Sequence, residues 1–125
     1  FPLMKGESIE ERGIFWHYPM YLSGKVEVKP VYGTDKMYWR ATPCSIVRQG
    51  DWKLMQYFET GTIELYNIKE DIGETKDLAR QHPERVADML KSLKQWQAKT
   101  GAEIPTTMNP DFDPSFKPNY RKKSK

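Results

Sequence analysis

Residues 44–68 constrain this chain more than any other stretch. They read as strand, turn, strand, turn, strand. Ile46 and Arg48 alternate with Ser45 and Val47, as a chain with a two-residue side-chain period requires. Gly50, between Gln49 and Asp51, can take the positive φ of a tight hairpin. Trp52, Leu54 and Phe58 then share a face, with Gln56 interrupting, and Thr60-Gly61 makes a second turn. Ile63 and Leu65 share one face of the third strand, and Tyr66 and Ile68 share the other. The spacing predicts an antiparallel meander that is partly apolar on both faces, so each face needs a cover.

One cover is visible in the sequence. Val86, Met89, Leu90, Leu93 and Trp96 recur at helical spacing between Pro83 and about Lys99. Pro83 suits the first helical turn, Glu84 the positive end of the helix dipole, and Gly101 the position just past the end. This is the long amphipathic helix available to pack on the meander. A further β-rich run, residues 13–18, sends Ile14, Trp16 and Tyr18 one way and Phe15 and His17 the other, and Pro19 ends it. The expected class is therefore α+β: a small antiparallel sheet of about four strands, including the three-stranded meander, with one long C-terminal helix on it.

The remaining segments read as connections. Residues 1–12 are expected to be a linker, residues 13–104 the folded unit, and residues 105–125 an extended tail, broken by Pro105, Pro110, Pro114 and Pro118. Residues 20–41 read as a long loop with a short strand near Val26 and Val28, and loops of that length usually have a job. Asp71-Ile72-Gly73-Glu74 reads as a turn whose carboxylates accept backbone N–H bonds, in preference to a cation site.

The net charge of +3 comes from the end of the chain. Arg121, Lys122, Lys123 and Lys125 supply four cations, so residues 1–120 carry a net −1. Such a block reads as a solvated tail, and no nucleic-acid motif accompanies it. No apolar run approaches the roughly 20 residues of a membrane helix. The single cysteine, Cys44, falls in a strand and reads as a buried, inert thiol. There is no His-x-x-x-His pair, no Gly-x-Ser-x-Gly elbow and no phosphate-binding glycine loop. No catalytic or metal-ligating set is assigned to the chain.

Two places invite a binding role. His17 ends a strand beside the long loop, where an imidazole can meet an oxyanion, or can instead be hydrogen-bonded within the sheet or to a loop carbonyl. Tyr32, Lys36, Tyr38, Trp39 and Arg40 mix aromatic rings with cations. Rings stack on sugar faces and Arg grips sulfate or carboxylate; the same residue types also populate buried protein interfaces.

Three stretches in one order carry a resemblance: Ile14-Phe15-Trp16-His17-Tyr18-Pro19, then Ile46 to Leu54, then Glu64-Leu65-Tyr66-Asn67-Ile68 leading into Asp71-Ile72-Gly73-Glu74. Together they resemble the C-terminal subdomain of a formylglycine-dependent sulfatase, over about Leu3 to Pro114. The resemblance implies a small sheet-and-helix unit docked beside a large α/β catalytic domain of the same polypeptide. That domain would supply the formylglycine nucleophile and the calcium ion. Cys44 does not match the nucleophile's Cys-x-Pro-Ser-Arg setting, since Ile46 and Val47 stand where Pro and Ser are required. The matching residue for the family's Trp-His-Tyr-Pro histidine, which helps shape the substrate pocket, is His17; a second family histidine is replaced by Met20. The resemblance further implies a sulfated carbohydrate substrate and a periplasmic or secreted location. With a Phe at position 1, the chain reads as starting partway along a longer polypeptide. The substrate-contacting residues expected on this reading are His17, Trp39 and Arg40. The alternative is a free-standing carbohydrate-binding or protein-interaction module.

Overall fold

The computed structural model describes residues 5, 12–23, 39–110 and 112. The possible strand at Val26 and Val28, the loop residues Tyr32, Lys36 and Tyr38, most of the linker and the basic tail lie outside the described residues.

The chain orders as β1 (Ile14–Tyr18), β2 (Leu22–Ser23), β3 (Trp39–Ala41), β4 (Cys44–Gln49), β5 (Trp52–Tyr57), β6 (Ile63–Asn67) and α1 (Pro83–Thr100). The main sheet is antiparallel throughout, in the order β1-β4-β5-β6. The β4–β5–β6 meander and the helix stand where the periodicity puts them, and the α+β class holds. The β4–β5 hairpin closes through Gly50-Asp51, with Gly50 at φ 57°, a value a side chain would strain. Gly101 at φ 65° ends the helix: its N–H reaches Ala98 O, and the Ala102 N–H reaches Gln97 O.

Register decides what each face carries. Phe15 lies opposite Val47, Val47 opposite Leu54, and Leu54 opposite Leu65. This row crosses all four strands, and Met89 and Leu93 of α1 bury it. Val47, Leu54, Leu65 and Leu93 are fully buried. Each such aliphatic side chain contributes about 1.5–3 kcal/mol on leaving water. The next row, His17–Ser45–Gln56–Ile63, lies on the same face toward one end of the sheet. The opposite face carries Ile14, Trp16 and Tyr18, as the alternation predicts.

The outer edge of β6 is closed by a loop. Asp77 Oδ1 accepts the Leu65 N–H at 3.0 Å, and the Leu78 N–H donates to Leu65 O at 2.8 Å. The outward backbone groups of Leu65, which an edge strand would leave open, are thereby engaged. The Asp71 turn is the capped turn expected. Its carboxylate accepts the Thr75 N–H at 2.7 Å and the Lys76 N–H at 2.9 Å. The N–H of Lys76, with those of Thr75, holds the Asp71 carboxyl below its usual range.

The segment read as a long loop contains an added element. β2 pairs antiparallel with β3, Leu22 opposite Ala41 and Ser23 opposite Trp39, with a register shift between Leu22 and Ser23. Trp39 and Arg40 therefore stand on a strand. The pairing is too short for a pattern of alternation to show it in the sequence.

Candidate functional site

One end of the main sheet gathers the groups of interest. The end of β1, the start of β4 and the β5–β6 turn meet there, because Tyr18 pairs with Cys44 and Cys44 with Tyr57. β1 runs through Pro19 to Tyr21 into β2, and β3 runs through Thr42 and Pro43 into β4. The β2–β3 ribbon, with Trp39 and Arg40, thus springs from the same end as His17. The topology brings all three expected residues to one region.

His17 is held on both sides. Its Nε2 lies 3.0 Å from the Glu103 carbonyl oxygen, and its Nδ1 lies 2.8 Å from the Ser45 hydroxyl. A carbonyl only accepts, so Nε2 carries the hydrogen, and Nδ1 of the neutral ring accepts from Ser45. The tautomer is assigned by this network. Ser45 is fully buried, so the histidine satisfies a hydroxyl that water cannot reach. Phe58 packs edge-on against the ring at 6.0 Å. Of the two roles read for His17, this geometry matches the histidine bonded within the sheet and to a loop carbonyl. In this arrangement neither ring nitrogen is left for a ligand.

A second cluster beside it was not legible in the sequence. Glu59, in the turn after β5, is 7% exposed. Its Oε2 accepts the Tyr21 hydroxyl, and its Oε1 accepts the Asn109 N–H at 2.9 Å. Burial pushes the Tyr21 hydroxyl up to about 12, with the Glu59 hydrogen bond and charge adding to it. Tyr21, Glu59 and Asn109 are far apart in the chain, and Glu59-Thr60-Gly61 reads as a solvated turn. No local signal marks the carboxylate as buried. The two clusters together tie the segment after α1 back across the end of the sheet, at Glu103 and again at Asn109.

The opposite end is built differently. The Arg85 guanidinium lies 4.5 Å above the Trp52 ring, and His82 meets the same ring edge-on at 5.1 Å. A surface groove of about 580 Å³ runs alongside, lined by Gln49, His82, Arg85 and Asp88 among others. His82 is exposed at the start of the helix and its side chain makes no cap.

Cys44 is buried in β4, and that burial pushes its thiol up, so the sulfur keeps its proton at neutral pH. Among the described residues no three His, Cys, Asp or Glu side chains gather where they could share a cation. Asp71, the carboxylate that most invites the idea, spends its oxygens on its own turn. No helix among the described residues is long and apolar enough to cross a membrane.

What the geometry defines is an α+β module whose polar clusters brace one end of the sheet. Comparison with known proteins takes this further. No family model matches the chain. A sulfatase of Formosa agariphila is 27% identical over 103 residues, a match taking in 74% of this chain and 16% of the relative. An uncharacterised sulfatase of Schizosaccharomyces pombe is 30% identical over 80 residues, 61% of this chain and 14% of that protein. The crystal structure of a Bacteroides thetaiotaomicron protein assigned as a sulfatase superposes with a TM-score of 0.60 at 21% identity, over 87% of this chain and 22% of that one. The chain is thus similar in sequence to sulfatases and shares the fold of part of one, as expected of a sulfatase C-terminal region. It spans about a sixth of the length of the curated relatives it matches.

Proposed function

We propose that the chain is the C-terminal accessory subdomain of a sulfatase, completing the fold of an upstream catalytic domain and lining its substrate cleft. The observation that carries this reading is the agreement of sequence and fold with a minor portion, 14–22%, of much longer sulfatases. On this reading the upstream domain, residues 1–12 being the join to it, supplies the formylglycine and the calcium ion that perform sulfuric ester hydrolysis. The substrate is a sulfated carbohydrate, and the protein is periplasmic or secreted.

The braced end of the sheet is the part assigned to the cleft. Trp39 and Arg40 offer the two chemistries such a substrate calls for: a ring for a sugar face and a guanidinium for a sulfate. His17 has a positioning role, since both its nitrogens hold the end of the sheet in shape.

The test is the reading frame that encodes this chain. The proposal expects a Cys-x-Pro-Ser-Arg or Ser-x-Pro-Ser-Arg segment upstream of Phe1, and a Trp39→Ala or Arg40→Ala variant of the whole enzyme with a raised KM for a sulfated glycan. A frame that opens at Phe1 contradicts it.

A further inference from the structure

The four-stranded sheet has two faces, and α1 covers one. The other presents the row Trp16–Ile46–Met55, which ends on Glu64 of β6, flanked on β1 by Ile14 and by Tyr18. Ile14 is 45% and Trp16 48% exposed, high values for large apolar side chains on adjacent positions of one sheet face. Cys44 and Tyr66 on the same face are buried and Ile46 and Met55 half-buried, so the open apolar part lies along β1, at Ile14 and Trp16.

Several polar groups on that face already have partners. Lys53 Nζ contacts both oxygens of Glu74, at 2.7 and 2.9 Å. The Tyr66 hydroxyl donates to Glu64 at 3.0 Å, and Glu64 also engages Tyr57. Arg48 Nε donates to the Gly50 carbonyl at 3.1 Å. Covering the face around Trp16 would strip water from apolar atoms where Lys53, Glu64 and Tyr66 already have partners, while the exposed Arg48 guanidinium beside Ile14 offers further donors to whatever covers it. The exposed side of α1 differs: Asp88, Lys91, Gln95 and Lys99 face solvent there and keep it wet.

From this we infer that the face bearing Ile14, Trp16, Ile46 and Met55 is the docking surface for the rest of a sulfatase polypeptide. The inference rests on the reading under Proposed function and names the surface that reading requires. The occupant follows from length. The matched relatives continue for more than four-fifths of their chains beyond this segment, so a large body is present to take the face. β1, the strand carrying Trp16 and Ile14, is also one of the two edge strands of the sheet, which brings the face to its margin.

The test is cysteine labelling at single sites, read peptide by peptide. Trp16→Cys and Ile14→Cys probe the face, and Ile72→Cys, at a residue 85% exposed, is the open reference. Each is made in the 125-residue chain and in the complete polypeptide of its reading frame. Both face positions are expected to react with a maleimide as fast as position 72 in the short chain and at least about tenfold slower in the complete polypeptide. Unprotected face positions in the complete polypeptide overturn the inference. So does protection in the short chain: dependent on concentration, it makes a second copy the occupant, and independent of it, the chain covers itself. Aryl sulfate turnover by the same complete polypeptide separates the two ideas. Turnover with an open face sinks only the docking surface, and a protected face without turnover sinks only the sulfatase reading.

Discussion

Phe15 of β1 and Trp96 of α1 lie flat against each other, ring centroids 5.2 Å apart and planes within 5°. The pair joins the edge strand to the helix, two elements separated by most of the folded unit. Phe15→Ala is expected to lower unfolding free energy by about 2–3 kcal/mol, near the low end for an aromatic truncation because Phe15 is only part-buried. With Trp96→Ala in a double-mutant cycle, the coupling should be about 0.5–1.5 kcal/mol by urea denaturation. A coupling of zero would mean the stack adds nothing beyond burial.

His17→Ala removes the partner of a fully buried hydroxyl and the donor to Glu103 O. The expected loss is about 1–3 kcal/mol, because Ser45 is left unsatisfied. Ser45→Ala on the same background should recover part of it. Amide hydrogen exchange across residues 102–109 should quicken in His17→Ala, since one of the two ties on that segment is gone. Unchanged exchange there would refute the tie.

High pH should loosen the fold. Tyr21 and Tyr66 both titrate at about 12, raised first by burial and then by their hydrogen bonds to Glu59 and Glu64. Between about pH 10, where an unfolded tyrosine ionises, and about 12, the folded state holds more protons than the unfolded state. Stability is therefore full below pH 10 and falls as pH rises through that window. Glu59→Gln removes the neighbouring negative charge, so Tyr21 should ionise at lower pH, followed by tyrosinate absorbance. A Tyr21 midpoint that does not move would place the cause in burial alone.

Gly101→Ala meets no atom within 4 Å, so its cost is backbone strain at φ +65° alone. About 1 kcal/mol is expected by thermal unfolding. A neutral result would mean the helix end relaxes.

How much of this was legible in the sequence depends on distance along the chain. Gly50, Gly101, the Asp71 turn and the stripe from Val86 to Trp96 are local signals, and each element formed where its signal stands. The faces of β1 were legible too, because alternation fixes them whichever strand lies next door. What paired with what was not. The seating of β1 beside β4, the β2–β3 ribbon and the burial of Glu59 all arise from contacts between distant residues. His17 shows the limit for the site: its position at a strand end was readable, whereas the Ser45 and Glu103 groups that occupy its ring nitrogens were not. Trp39 and Arg40 were chosen by residue type alone, and the β2–β3 pairing that sets their backbone at the His17 end of the sheet was not readable.

The proposal tested most directly is that this chain is one part of a sulfatase and needs the rest of the polypeptide for turnover. The direct measurement is turnover of an aryl sulfate such as 4-methylumbelliferyl sulfate, by the purified 125-residue chain and by the complete polypeptide of its reading frame, at equal molarity. The account predicts no turnover by the chain and calcium-dependent turnover by the complete polypeptide. Turnover by the 125-residue chain alone, persisting through repurification, would contradict it.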